Sequence, residues 1–346
     1  MSHEYQTRKI IVIAVIVIFL VGIFVLKLSH NEHGQYLKET RFIMGTYVTI
    51  TGYHYNHGHL QESITAAFRE MQEIDRLMST YKVNSELTIL NNSPKPGTYP
   101  VSELLYEVLN ISDIVYRETD GAFDVTIKPL MDLWKQAGEN NSFPDQRDLN
   151  AALNTVGWTH IALNGRETSV SFGKADMQIV LGGVAKGYAV DLASQSLKKA
   201  GIQHFMVDAG GDIYCSGHPP RREAWIIGVR DPINTSDILN KLRITNQSVV
   251  TSGNYERFYT IDGKHYSQIF YPETGMPVET ILSSTVIADT AARADAWATA
   301  LMVLGPEKGL ELINQHPDLE AFIIATSFDG KVTYSKSEHF DSFISE

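Results

Sequence analysis

Met177-Gln-Ile-Val-Leu-Gly-Gly-Val-Ala-Lys-Gly-Tyr-Ala-Val-Asp191 carries an apolar run, Met177 to Leu181, into a Gly182–Gly183 pair. A helical pattern follows from Ala185 to about Lys199. Read as strand, turn and helix, this stretch brings backbone close to whatever sits at the turn, because glycine removes the side chain there. Free N–H groups at the helix start favour an anion such as phosphate, and Lys186 adds a positive charge in the first turn. A plain strand–turn–helix joint, with glycine only relieving crowding, reads the same way.

Outward from this centre the pattern is mixed. Toward the N-terminus, Thr40 to Thr51 reads as a strand kinked at Gly45, and His54, His57 and His59 as a solvated loop. Ile64, Ala67, Phe68, Met71, Ile74 and Leu77 form a helical stripe within 60–78. A polar loop, 79–97, precedes a second helix over 101–117 that ends at Thr119-Asp-Gly121. Residues 122–134 begin extended and turn helical near Pro129, 145–156 read as a short helix, and 159–172 as a hairpin turning at Asn164–Gly165.

Toward the C-terminus, strands are expected at 204–208, 212–215, 225–229, 258–261, 266–270 and 284–287. Helices are expected at 291–304 and 307–315, and a last hairpin turns at Asp329–Gly330. Strands and helices do not alternate regularly. The expected class is therefore α+β, with mixed, largely antiparallel sheets packed with helices.

The chain has 346 residues, 43% hydrophobic and 20% charged, with a formal net charge of −11. That balance argues against a nucleic-acid surface. Ile10 to Leu26 holds no charged or polar side chain and is bracketed by Lys9 and Lys27. As a helix it spans about 25 Å, and snorkelling lysines close the gap to a ~30 Å hydrocarbon core. The expected layout is a cytoplasmic tail (1–9), a single-pass membrane anchor (10–27), a tether (28–38) and one domain (39–346). Arg8 and Lys9 place the tail in the cytoplasm and the domain outside it. The one cysteine, Cys215, reads as a small buried hydrophobe.

Some residues invite chemistry. Asp295 and Thr299 stand four apart on one helix face and both offer oxygen, which suits Mg²⁺. An exposed Asp and a Thr bonding back to its own helix is the alternative. Asp120-Gly-Ala-Phe-Asp124 can receive ribose or flavin hydrogen bonds or cap the next element. Tyr81 can stack on a ligand or pack on its own helix. Gly210 and Gly211, within Asp208-Ala-Gly-Gly-Asp212, fit close approach of a ligand or a plain bulge.

Taken in order over most of residues 40–335, these segments resemble the ApbE-type FAD:protein FMN transferases. The match runs through Met44-Gly-Thr, Met78-Ser-Thr-Tyr81, Ser85-Glu-Leu, Leu90-Asn and Thr119-Asp-Gly-Ala-Phe-Asp124. It continues through Leu181-Gly-Gly-Val-Ala-Lys-Gly-Tyr-Ala-Val-Asp191, Asp208-Ala-Gly-Gly-Asp212, Thr251-Ser-Gly253 with Tyr255, Pro272-Glu-Thr-Gly275 and Ala294-Asp-Ala-Trp-Ala-Thr299.

The resemblance implies FAD as donor, Mg²⁺ at the pyrophosphate and a Thr or Ser hydroxyl on a partner redox protein as acceptor. FMN becomes phosphoester-linked to that residue and AMP leaves. Carried over by position, Met44, Tyr81, Ala122, Phe123, Asp124, Lys186 and Ile269 contact the flavin nucleotide. Gly183 (through its carbonyl), Asp295 and Thr299 hold the metal. With the domain outside the cytoplasm, the acceptor is expected to be extracytoplasmic or membrane-bound.

Three positions depart from the family pattern. Val180 stands where the family usually has Asp. Gln268 stands where it usually has the His suited to act as base, and Tyr271 where it usually has Asp. Gln268 cannot take a proton, and His265, three residues back along a strand, falls on the opposite face. A relative that binds FAD without transferring FMN, or a metal-dependent FAD pyrophosphatase, are the other functions compatible with these departures.

Overall fold

The computed structural model describes residues 35–255, 257–327 and 329–345. The apolar run Ile10–Leu26, the tail before it and most of the tether lie outside the described residues. Among the described residues, no helix is long and apolar enough to cross a membrane.

The chain begins with a hairpin of β1 (Gln35–Ile43) and β2 (Thr46–His54). Then come α1 (His57–Met78), α2 (Glu86–Asn92), β3 (Gly97–Pro100), α3 (Glu103–Glu118), α4 (Lys128–Glu139), α5 (Gln146–Leu153), β4 (Ile161–Asn164) and β5 (Ser169–Phe172). The second half runs α6 (Ala185–Lys199), β6 (His204–Ala209), β7 (Asp212–Ser216), β8 (Trp225–Arg230), β9 (Ile238–Ile244) and β10 (Gln247–Gly253). It closes with β11 (Phe258–Ile261), β12 (Lys264–Ser267), β13 (Ile281–Ala288), α7 (Ala291–Ile313), β14 (Glu320–Thr326) and β15 (Val332–Lys336).

The main sheet has the order β1-β2-β6-β7-β10-β13-β14-β15. Every ladder among the described residues is antiparallel, so the mixed sheets expected from sequence resolve into antiparallel ones. Both faces of the sheet are covered. Alternate residues of β10, β13 and β14 divide between two cores: Val250, Val286 and Ile323 face α1, α6 and α7, while Val249, Ile287, Phe322 and Ile324 face β8, β9 and Phe340. Burial on both sides explains the unbroken apolar run Ala321–Ala325 in β14 and the absence of alternation in β13, whose Ser283, Ser284 and Thr285 are buried too, since strict alternation marks only a half-exposed strand.

Several elements differ from the sequence reading, each for a local reason. Gly45 does not kink one strand. Met44 (φ 55°) and Gly45 (φ 75°) form a two-residue reversal that makes 35–54 a hairpin, and β1 starts inside the stretch expected to be tether. The 79–97 loop contains α2, whose N-terminus is capped by Ser85 Oγ accepting from Thr88 N at 3.0 Å. His57 and His59 open α1 rather than lying in a loop. Residues 177–181 form no sheet strand. The Asn91 side chain brackets Ile179 by accepting from its N–H and donating to its carbonyl, each at 2.8 Å. Val180 N donates to Val125 O at 2.8 Å. Strands β3, β9 and β10 were not expected, and β12 ends at Ser267 rather than at Phe270.

Helices α6 and α7 touch backbone to backbone. A Cβ on Gly187 would lie 2.3 Å from the Ala291 carbonyl oxygen, so only glycine fits. One turn on, Asp191 accepts from Ala291 N at 2.7 Å and Ala292 N at 2.9 Å, satisfying two orphan donors of α7. Burial still pushes the Asp191 carboxyl up to about 6.

Gly187→Ala separates these helices. At an exposed helical site the change stabilises by about 0.5–1 kcal/mol, but overpacking typically costs about 1–3 kcal/mol, so a net loss is expected. It should appear as a lower urea midpoint with an unchanged m-value.

Candidate active site

The contact between α6 and α7 sets out three matched pairs. Gly183, Gly187 and Asp191 recur every fourth residue along the segment that opens and forms α6; Ala291, Asp295 and Thr299 do so along α7. The two run in opposite senses. Asp191 caps Ala291, Gly187 N donates to Asp295 Oδ2 at 3.2 Å, and a Cβ on Gly183 would lie 2.7 Å from Thr299 Oγ1. Gly183, Asp295 and Thr299, far apart in sequence, therefore lie along one helix contact.

Phe123 closes one side: a Cβ on Gly183 would lie 3.3 Å from its ring. Thr119 fixes it from behind, with its Oγ1 donating to Val115 O at 2.6 Å and accepting from Phe123 N at 3.2 Å. Ala122 precedes it, half-exposed. Asp124 is turned inward. Its Oδ1 accepts from Thr126 N at 2.7 Å and Thr126 Oγ1 at 2.6 Å, and its Oδ2 from Trp158 N at 3.0 Å. Both oxygens thus hold this chain's own loops, and burial raises the carboxyl above its ordinary range despite these donors. Asp124 does not cap the next helix either: α4 starts after Ile127 with no side-chain cap, and the Asp124 side chain instead ties the 124–126 turn to the loop at Trp158.

On the other side stands Asp212, fully buried at the start of β7. Its Oδ1 accepts from Lys186 Nζ in an ion pair. Its Oδ2 has no amide or hydroxyl donor among the described residues, and the Asp212 carboxyl lies within hydrogen-bonding reach of the Asp295 carboxyl. Burial above all, and then the Asp212 charge, raise the Asp295 carboxyl well above the usual carboxylate range; the nearby Lys186 and the Gly187 amide oppose this. Asp212 was not singled out from sequence, although it ends the Asp208-Ala-Gly-Gly-Asp212 motif, whose glycines drew the attention.

Those glycines shape the turn between β6 and β7. Gly210 (φ 64°) and Gly211 (φ 100°) take left-handed conformations, and Gly211 N donates to Asp208 Oδ1 at 3.0 Å. A Cβ on Gly210 would strike Thr46 Oγ1 at 2.2 Å, so this turn abuts the Met44–Gly45 turn. Arg257, also not foreseen, reaches the same place: its guanidinium lies 3.6 Å from where a Gly45 Cβ would be.

The remaining predicted residues lie around the β11–β12 hairpin. Tyr81 is 79% exposed on the loop after α1. It is close enough to Tyr259 that, after burial, its hydroxyl helps push the Tyr259 hydroxyl up. Gln268 and Ile269 follow β12, both half-buried, with Ile269 N donating to Ser267 Oγ at 3.0 Å. His265 is exposed; it lies 3.9 Å from the Phe258 ring and 3.1 Å from Thr260 Oγ1, on the strand face opposite Tyr266. Two open surface cavities, of about 420 and 390 Å³, contain none of the predicted site residues.

The sequence profile of the ApbE family matches residues 44–323. An FAD:protein FMN transferase of Escherichia coli K12 is 33% identical over 276 residues, 78% of either chain. One from Vibrio cholerae is 31% identical over 306 residues, covering 84% of this chain and 90% of its own. Among solved structures, the flavin transferase ApbE of Vibrio cholerae superposes with a TM-score of 0.80 at 27% identity, over 90% of this chain and 99% of that one. The ApbE protein of Thermotoga maritima gives 0.81 at 30% identity, over 90% and 100%.

A raised Asp295 carboxyl adds stability below the unfolded-state range of Asp, and that contribution disappears as pH rises through the folded-state value. Asp295→Asn has no such loss, and its amide can donate to Asp212 Oδ2. In a chelator, this variant is expected to unfold at higher urea than the parent at pH 8, with the gap closing toward pH 4. Urea midpoints across that range check the sign.

Proposed function

The chain belongs to the ApbE family and transfers FMN from FAD to a protein; we propose that the acceptor group is a Thr or Ser hydroxyl and that a divalent cation, Mg²⁺, assists at the α6–α7 contact. One observation carries this reading: the Gly183 backbone, Thr299 hydroxyl and Asp295 carboxyl converge although they come from separate segments. The donor set is all oxygen, as Mg²⁺ prefers, and Mg²⁺ commonly completes its shell with water and substrate phosphates. Among the described residues no three His, Cys, Asp or Glu side chains gather as a metal cluster. The hydroxyl and the carbonyl are therefore needed beside the carboxylates. Asp212 Oδ2, buried without a donor, also suits a cation nearby.

In the proposed reaction the hydroxyl oxygen attacks the FMN-side phosphorus of FAD. A new phosphoester bond forms, the pyrophosphate bond breaks, AMP leaves with the bridging oxygen, and the hydroxyl proton passes to solvent or to the departing phosphate. When bound, a cation held by the Gly183 carbonyl, Asp295 and Thr299 would supply charge neutralisation at the pyrophosphate. Lys186, in the first turn of α6, presents an ammonium to the same region, and Gly182, with open space where a Cβ would be, leaves room for phosphate to approach backbone. Phe123 beside Gly183, together with Met44, Ala122 and Ile269, forms the set assigned to the flavin nucleotide. Tyr81, widely exposed, is free to fold over the ring system, and Gly210 and Gly211 keep side chains away from the Met44 turn. Phosphoryl transfer depends mainly on positioning and charge neutralisation, which this set supplies.

Gln268 can orient the incoming hydroxyl but cannot take its proton, and His265 is engaged on another face. General-base help is worth about 10²–10⁴ in rate. Transfer by this chain therefore proceeds without that contribution from position 268. We place the domain outside the cytoplasm, held by a membrane anchor at Ile10–Leu26, with an extracytoplasmic or membrane-bound acceptor. The apolar run bracketed by Lys9 and Lys27 supports this placement.

A mass spectrum of a Thr-containing acceptor after incubation with the protein, FAD and Mg²⁺ tests the reaction. A covalent FMN adduct is expected, and its absence with FAD bound would overturn the reading. Release of FMN and AMP without acceptor would point to hydrolysis instead. Asp295→Ala is expected to abolish the adduct, whereas full transfer by this variant would rule out the cation site. Gln268→His is expected to speed adduct formation, by up to about 10²-fold from the lower end of general-base effects, in a single-turnover time course.

A further inference from the structure

Asp212 is 0% exposed, yet one of its oxygens has no donor. A structural salt bridge to Lys186 needs only Oδ1. Leaving a buried acceptor bare is costly, more so when charged, and apolar replacement of buried ion pairs is often neutral or stabilising. Among the described residues only the Asp295 carboxyl, when it carries a proton, can meet that oxygen, so the two facing carboxyls call for a shared proton or for a cation in its place.

The surrounding fold holds it there firmly. Asp212 opens β7, an inner strand, and is paired with Ala209 of β6 on one side and Val250 of β10 on the other. The Gly210–Gly211 turn, tied back by Asp208, fixes where β7 begins. Asp295 is fixed separately, by the Gly187 amide. Two carboxyl groups on unrelated elements are thus held face to face, with the Lys186 ammonium on one flank.

We propose that Asp212 is a further residue of the transfer site: Oδ1 orients the Lys186 ammonium, and Oδ2 offers the divalent cation a second carboxylate oxygen beside Asp295. This rests on the cation reading above and extends it to a residue outside the Gly183–Asp295–Thr299 set. It also assigns Lys186 a fixed direction, since the partner that holds it sits on a strand rather than on its own helix.

The test is Mn²⁺ binding to the FAD-free protein, followed by electron paramagnetic resonance, with thermal unfolding measured alongside. Asp212→Asn keeps the volume and removes the charge. It is expected to weaken Mn²⁺ by at least about 10–100-fold, the loss already seen when a residue that only supports a metal ligand is changed. FAD affinity, read from flavin fluorescence, should fall as well. Unchanged Mn²⁺ affinity, with or without a lower unfolding midpoint, would show a purely structural Asp212 and overturn the proposal. Parent protein that binds no Mn²⁺ would overturn the cation reading itself, and this proposal with it. If Asp212→Asn does not fold, Asp212→Glu serves in its place. It keeps the charge but shifts the oxygens by one methylene, so several-fold weaker Mn²⁺ binding is expected and unchanged affinity would overturn the assignment.

Discussion

Two backbone amides at the start of α7 end on one carboxylate, that of Asp191, and the rest of the site follows from that contact. Helix ends leave donors unsatisfied, and burying them without partners is costly. Asp191 satisfies two of them and so fixes α7 against α6 in both position and sense. The contact is close only because Gly187 has no side chain. From there the geometry repeats by helical turns: one turn along α7 brings Asp295 to the Gly187 amide, and the next brings Thr299 to Gly183. The geometry of the candidate site is thus a by-product of how two helices are capped and packed.

Much of the fold was legible because its signals are local. The α1 stripe, the α3 terminus at Gly121, the Asn164–Gly165 hairpin and the break between two helices at Gly305 (φ 71°) all depend on neighbours within a few residues. The failures depend on distant partners. Residues 177–181 have a strand's composition, but their polar backbone groups are met by the Asn91 side chain and by Val125. No sequence pattern distinguishes that arrangement from a ladder. At Met44 a residue other than glycine took the left-handed conformation, so the turn appeared one glycine too short. Helix α2 is seven residues long, too short for periodicity to declare itself.

The site divides in the same way. Asp295 and Thr299 were readable because their four-residue spacing is a property of one helix. Their pairing with Gly187 and Gly183 was not, since it arises between segments about a hundred residues apart. Asp124 shows the converse: its place in a family motif suggested a ligand contact, while its three hydrogen bonds join Thr126 and Trp158. Asp212 was hidden by its neighbours. In a Gly-Gly turn the glycines catch the eye, and the acid that follows looks like ordinary turn chemistry.

The second core, behind the sheet, has a different consequence. Trp225, Ile227, Leu242 and Phe340 cover the face turned away from α6 and α7, and Cys215 is sealed among them. The sheet therefore acts as a partition. Substitutions behind it alter how tightly the domain holds together without touching the contact between α6 and α7 on the other face.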